Sequence, residues 1–218
     1  MILHDPTTAI KVSSIILDRG VLLINFNAPF KWASGIISPV YCDNRRIFSV
    51  HAIRNIITGE IISCIRKNWL MFDGICGVAT GGIPPAVLVA HYLQTNFLYV
   101  RPLPKSHGLK SQIEGLLTPD IKSIVLVEDL ISSGTSSMNA ISALRNAGLN
   151  VLGVVCVFHY NFPFAIEKFK KEGIPVIALT TFEVTLQTAL KSGKISVEDF
   201  NRVMLWYKQV KEPTSQDE

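Results

Sequence analysis

Charge is scarce in this chain. Asp, Glu, Lys and Arg together make up 17 % of its 218 residues, below the roughly 25 % of an ordinary soluble domain. The Lys and Arg that are present form no dense block, which argues against nucleic acid as a partner. Long apolar runs are lacking too. Stretches such as residues 154–158 fall far short of the roughly 20 residues that a spanning helix needs, and MILHDPTTAIK has no extended apolar core behind a basic start, so neither a membrane span nor a secretory leader is expected. Cysteine is sparse: Cys42, Cys64, Cys76 and Cys156 stand far apart without a CxxC pair, which argues against a zinc ribbon or disulfide scaffold and for a reducing cytoplasm. Repeats and low-complexity tracts are absent, and one domain over residues 1–218 is the expectation for this length.

Apolar residues are what the chain has in quantity. They make up 48 %, with mean hydropathy +0.33, which suits a sheet covered by helices on both faces. The net charge of +4 would favour phosphorylated ligands, and it fits ordinary surface charge equally well. Asp5 before Pro6 predicts a helix start and Gly20 its stop. Residues 27–46 read as loop, yet they carry Phe30, Trp32, Tyr41, Arg45 and Arg46, unusual freight for an inert connector. Ile53, Ile56, Ile57, Ile61 and Ile65 recur at helical spacing and predict a helix over residues 50–67. Strands then alternate with helices: strands at 74–79, 97–100, 123–127, 151–158 and 176–179, helices at 84–93, 137–147 and 164–172. This rhythm predicts an α/β fold, a parallel twisted sheet flanked by helices. The polar connection at 101–120 is longer than most and is expected to be a functional lid or a disordered segment. Two further helices, the second opened by Ser196 and Asp199, and a frayed tail over residues 211–218 complete the chain. Met71, Met138 and the tryptophans are read as core or packing residues, and His4, His51 and His91 carry no assignment.

Ligands of an open parallel sheet sit beyond the carboxyl ends of its strands, which directs attention to the loop after Val127. Glu128 and Asp129 open it; Leu130 and Ile131 follow, then Ser132, Ser133, Gly134, Thr135, Ser136 and Ser137 run straight into a helix. Backbone N–H groups at such a start, with hydroxyls beside them, form a phosphate cradle helped by the helix dipole. The loop has no lysine, so it is not a GxxxxGK[ST] nucleotide cradle. Carboxylates in front of it suit the two hydroxyls of a ribose. From spacing alone, an ordinary serine-rich helix cap reads the same way. In the long connection, Arg101, Lys105 and His107 stand among Pro102, Pro104 and Gly108, three donors suited to a polyphosphate on a segment expected to move, though a solvated loop fits as well.

The segment from Glu128 to Ser136 resembles the phosphoribosyl diphosphate (PRPP) motif of type I phosphoribosyltransferases. Three other segments resemble the orotate phosphoribosyltransferase branch: FKWASGIISPVYCDNR at residues 30–45 its base-binding hood, GVATGGIP at 77–84 its pyrophosphate loop, and RPLPKSHG at 101–108 its lid. The resemblance covers nearly the whole chain. It implies a small N-terminal hood over residues 1–48 and a mobile lid over residues 101–120. It further implies that Ser132, Ser133, Gly134, Thr135 and Ser136 hold the 5′-phosphate, that Glu128 and Asp129 face the ribose, and that Leu130, Ile131, Thr80 and Gly81 complete the PRPP site. Arg101, Lys105 and His107 would close over the leaving pyrophosphate, with Lys105 the most rate-critical donor, and Asp129 would join them as a catalytic group. Orotate would meet Ser132, Tyr41, Arg45 and Lys31. Mg²⁺, carried mainly by PRPP, is the implied cofactor, and a homodimer sharing its lids is the implied assembly.

The chain departs from many orotate enzymes at Ala33, at Thr80 and Gly81, at Pro102 and at His159 and Tyr160, where they carry Lys, Tyr-Lys, Lys and Arg. Those differences leave Arg45, with Lys31, as the expected source of positive charge toward the orotate carboxylate. A phosphoribosyltransferase for another base, or a PRPP-sensing regulator, would share the phosphate loop but should lack the hood segment or the lid donors.

Overall fold

A computed structural model describes residues 1–32, 35–104 and 111–211. The chain opens with a two-residue strand, β1 (Ile2–Leu3), and helix α1 (Pro6–Asp18). Asp5 caps that helix as expected: its carboxylate accepts the N–H groups of Thr7 and Thr8 at 2.9 and 3.1 Å, a cap worth about 1 kcal/mol. Gly20, at φ +57°, turns the chain out of the helix in the left-handed region where a side chain would be strained.

The region read as loop is more ordered than its composition implies. Strands β2 (Leu22–Ile24), β3 (Phe30–Lys31), β4 (Ile37–Ser38) and β5 (Val40–Cys42) form two small antiparallel pairs, β2 with β5 and β3 with β4, followed by a 3-10 helix over Asn44–Ser49. Strands of two or three residues are too short for apolar alternation to reveal them.

The main body follows the predicted alternation: α2 (His51–Asn68), β6 (Gly74–Val78), α3 (Ile83–Leu93), β7 (Asn96–Val100), β8 (Ile113–Glu114), β9 (Ser123–Ile131), α4 (Thr135–Asn146), β10 (Asn150–His159), α5 (Pro163–Lys171), β11 (Val176–Thr181), α6 (Phe182–Lys191) and α7 (Val197–Lys211). The sheet order is β1-β11-β10-β9-β6-β7-β8. All neighbours are parallel except β7 and β8, so the sheet is mixed at one edge rather than wholly parallel. β8 lies inside the long connection, of which residues 105–110 are outside the described residues.

Helices cover both faces. Val12 and Ile16 of α1, Ile57 and Ile61 of α2, Val89 of α3 and Leu186 of α6 pack on one side with Val125, Val127 and Val155 of the sheet. Ile141 and Leu144 of α4 and Phe169 of α5 pack on the other with Leu126, Val154 and Cys156. Central strands buried on both faces account for the high hydropathy and low charge. All four cysteines are free and buried. Met71 corrects one reading: it is 85 % exposed and belongs to no core. The Ser196 hydroxyl accepts the Asp199 N–H at 3.0 Å, as the capping pattern predicts; residues 212–218 of the tail lie outside the described residues.

Candidate active site

The strand order turns between β6 and β9. From β6 the chain proceeds through α3 to β7 on one side, while β9, β10 and β11 continue on the other. The loops leaving the carboxyl ends of β6 and β9 therefore diverge and leave a crevice between them, the usual ligand position in such sheets. A cavity of about 590 Å³ occupies that crevice.

β9 does not end at Val127. It runs on to Ile131, held by pairing of Glu128, Leu130 and Ile131 with Cys156, Phe158 and His159 of β10. The two acids thus ride on a rigid strand instead of opening a loop, and the true turn is Ser132, Ser133 and Gly134. Gly134, at φ +72°, reverses the chain into α4. A Cβ there would also press on the Phe169 ring at 2.9 Å.

At one end the cavity is lined by Ser132, Ser133, Thr135 and Ser136. The Ser133 and Thr135 hydroxyls stand 3.1 Å apart. Among the described residues, the N–H groups of Ser133, Gly134 and Thr135 have no acceptor, as expected for a helix start that still has donors to give.

Val78, Ala79, Thr80 and Gly81 form one middle wall, and Glu128, Asp129 and Leu130 form the other. The two acids are not equivalent. Glu128 is only 4 % exposed and accepts the Ser137 hydroxyl at 2.8 Å. Burial, then the Asp129 charge beside it, pushes its carboxyl well above the usual range, against the Ser137 hydrogen bond that pulls it down. Asp129 is half-buried; removal from water raises it to about 6, against backbone hydrogen bonds and the Arg45 charge that pull it down. Its peptide is fixed from the hood, where Asn44 Nδ2 donates to the Asp129 carbonyl at 2.6 Å. Across the crevice Gly81 makes room for this carboxylate, because a Cβ would collide with it.

The other end is aromatic. Trp32, Tyr41, Cys42, Asp43, Arg45 and Tyr160 line it. Trp32 packs on Tyr160 with ring centroids 4.6 Å apart and donates its indole N–H to the Val40 carbonyl at 3.1 Å. Arg45 is held by Asp43 at 2.6 Å, with Tyr41 Oη at 3.4 Å. Helix α7 braces this end from behind: Tyr207 donates to the Tyr160 carbonyl at 2.5 Å, and Trp206 donates to the Ile37 carbonyl at 2.9 Å.

Most of the residues singled out by the sequence therefore meet in one cavity. Ser132, Ser133, Thr135, Ser136, Glu128, Asp129, Leu130, Thr80, Gly81, Tyr41 and Arg45 all line it. Ile131 is buried in the core below, and Gly134 shapes the turn without lining the space. Lys31 is exposed on β3 and Arg101 faces Glu114 at 3.6 Å; neither lines the cavity. Lys105 and His107 lie outside the described residues. Cys42, Asp43 and Asn44 went unnoticed as single residues, although the hood segment that carries them did not.

A mostly parallel sheet whose strand-borne acids lead into a lysine-free, serine-rich helix start, opposite a separate aromatic end, matches a transferase of the phosphoribosyl class. The model of the phosphoribosyl transferase domain matches residues 45–176. The chain is 47 % identical to an orotate phosphoribosyltransferase of Phocaeicola vulgatus, over 83 % of this chain and 84 % of that one. It is 39 % identical to that of Bacillus subtilis over 94 % of both. Its fold matches the crystal structure of orotate phosphoribosyltransferase from Aeropyrum pernix with a TM-score of 0.71 at 27 % identity, covering 84 % of this chain and 99 % of that one. The chain belongs to the orotate phosphoribosyltransferase family.

Proposed function

We propose that this protein transfers the 5-phosphoribosyl group of PRPP to N1 of orotate, giving orotidine 5′-monophosphate and pyrophosphate, in UMP biosynthesis in the cytoplasm. The observation that carries the reading is the cavity with two unlike ends, a phosphate cradle at Ser132–Ser136 and an aromatic, arginine-bearing end at Trp32, Tyr160 and Arg45. The 5′-phosphate takes the free N–H groups and hydroxyls of the cradle. Ionised Asp129 accepts hydrogen bonds from the ribose hydroxyls, while Glu128, buried behind it and held by Ser137, backs that wall. At the far end Trp32 and Tyr160 present ring surface to the flat base, and Arg45 supplies the charge its carboxylate requires.

As the C1′–O bond to pyrophosphate breaks and the C1′–N1 bond forms with inversion, positive charge grows on the sugar above Asp129. Arg101 contributes charge toward the pyrophosphate when its contact with Glu114 opens, and Lys105 and His107 join it in the family's pattern. Lid closure would keep water from the sugar, and a homodimer would share the lids between subunits. Among the described residues no three His, Cys, Asp or Glu converge on a metal position. Ser137 engages Glu128 and Arg45 engages Asp43, which leaves Asp129 as the open carboxylate. Asp129 is the residue that would face Mg²⁺ carried mainly by PRPP, and the ion would supply charge neutralisation to the leaving group.

The test is to incubate the protein with PRPP and Mg²⁺ and, separately, orotate, uracil, hypoxanthine and adenine, following base consumption. Orotate should be consumed and the others left; an inert orotate overturns the reading. Lys105→Ala should lower turnover at least a hundredfold, and near-normal turnover would remove Lys105 from its role.

A further inference from the structure

A dianionic phosphate needs positive charge, and the cradle from Ser132 to Ser136 contains no Lys, Arg or His. Among the described residues, an ammonium reaches the loop from another element. Lys168, on α5, donates from Nζ to the Ser133 carbonyl at 3.1 Å and lies 3.4 Å from Thr135 Oγ1. It has no carboxylate within ion-pair distance among the described residues. On the same helix Lys170 faces Glu167 at 3.8 Å, and Glu172, just beyond the helix, is taken by Arg145 at 2.6 Å.

We propose that Lys168 is a positioning residue for the phosphate cradle, holding the Ser133–Gly134 peptide so that its N–H faces the 5′-phosphate and adding the charge that the loop itself lacks. This rests on the reading of the cradle as the 5′-phosphate site. In a trans peptide the C=O and the following N–H point in opposite directions. The Ser133 C=O points at Lys168, which lies outside the cavity, so the Gly134 N–H points away from Lys168; it has no acceptor among the described residues. A cation on the carbonyl also polarises the peptide and makes its N–H a stronger donor.

The helix that carries Lys168 is fixed against the loop by two other contacts. The Phe169 ring packs where a Gly134 Cβ would be, at 2.9 Å. Arg145, in the last turn of α4, donates to both the side chain and the carbonyl of Glu172, at 2.6 and 3.0 Å. The α4 and α5 ends are thus tied together around the turn, and the lysine reaches the loop from a seated helix. Lys168 was not visible as a site residue in the sequence, because it stands more than thirty positions from the loop it serves, a separation of 35 from Ser133.

The test uses the whole protein with Lys168→Met, which keeps the aliphatic stem, and Lys168→Arg. Ribose 5-phosphate and pyrophosphate are titrated separately by calorimetry at two salt concentrations, with thermal midpoints as a control on folding. Lys168→Met should weaken ribose 5-phosphate about fivefold at low salt and less at high salt, leave pyrophosphate within about twofold, and be largely rescued by Arg. Unchanged ribose 5-phosphate affinity overturns the proposal, and so does equal weakening of both ligands, which would mark a structural role. If the unaltered protein binds no ribose 5-phosphate at all, the cradle reading itself fails, and that result is distinct from either outcome.

Discussion

At one end of the cavity, consecutive residues from Ser132 to Ser136 present backbone N–H groups and hydroxyls; at the other, Trp32, Tyr41 and Arg45 come from the hood and Tyr160 from the end of β10, in opposite halves of the chain. The serine-rich end, which we assign to the phosphate, is a local device: a strand, a glycine turn and a helix start produce it wherever that order of residues occurs. The aromatic end, which we assign to the base, exists only after the hood has folded back onto β10 and α7 has braced both. A phosphate is recognised by charge and donors that backbone can supply, whereas a flat carboxylate-bearing base needs side chains brought from several elements.

Two adjacent glycines test the middle of the cavity hardest. Gly81→Ala places a methyl group against the Asp129 carboxylate, whose end can swing away. The expected result is a drop of about a hundredfold in kcat/KM for PRPP with a thermal midpoint changed by only a few degrees. Gly82→Ala meets backbone instead, the Val127 carbonyl at 2.5 Å and the Val78 carbonyl at 2.8 Å. It should cost about 2–3 kcal/mol of stability, seen in denaturant midpoints. Equal effects of the two on stability would mean that Gly81 serves packing rather than the site.

Asp129 carries a pH signature. Its folded pKa of about 6 lies above the ordinary 3.8, so the fold favours the protonated form; this contribution to stability is present below about pH 4 and is lost as pH rises through 6. Binding to ribose hydroxyls requires the opposite, ionised form. kcat/KM for PRPP should therefore fall as pH drops through about 6, and Asp129→Asn should abolish that limb and lower the plateau by tens of fold. The same variant, free of ligand at pH 8, should be more stable by about 1 kcal/mol, discounted because the group is half-exposed. A low-pH limb surviving the substitution would assign the titration elsewhere.

The smallest expected effect belongs to the brace. Trp206→Phe keeps the ring contacts with Trp32 and Phe162 but loses the hydrogen bond to the Ile37 carbonyl. A net loss of about 1 kcal/mol corresponds to about a fivefold rise in the KM for orotate, with the KM for PRPP unchanged. An equal change in both would dissolve the distinction between the two ends.

The same contrast explains what the sequence disclosed. Buried strands and capped helices announced themselves through apolar runs, Asp5–Pro6 and Gly20, and the cradle through its glycine and hydroxyls. The end of β9 was misplaced because Glu128 and Asp129 look like loop residues; the ladder to β10, not their polarity, keeps them in the strand. β8 reverses direction within a segment whose composition carries no strand signal. Arg45, with Lys31, was the expected charge for the carboxylate, yet only Arg45 lines the cavity, because β3 turns Lys31 to solvent while Tyr41 and Asp43 hold Arg45 at the rim. Tyr160 stood out only as a departure from the family; its packing on Trp32 is a property of the folded chain.

The most direct test of the two-ended cavity compares orotidine 5′-monophosphate with uridine 5′-monophosphate, which differ by one carboxylate, as ligands of the unaltered protein and of Arg45→Ala. The unaltered protein should bind the carboxylated nucleotide about tenfold more tightly, and Arg45→Ala should erase that preference while leaving ribose 5-phosphate affinity unchanged. Equal affinities in the unaltered protein, or a preference that survives Arg45→Ala, would contradict the assignment of the base end.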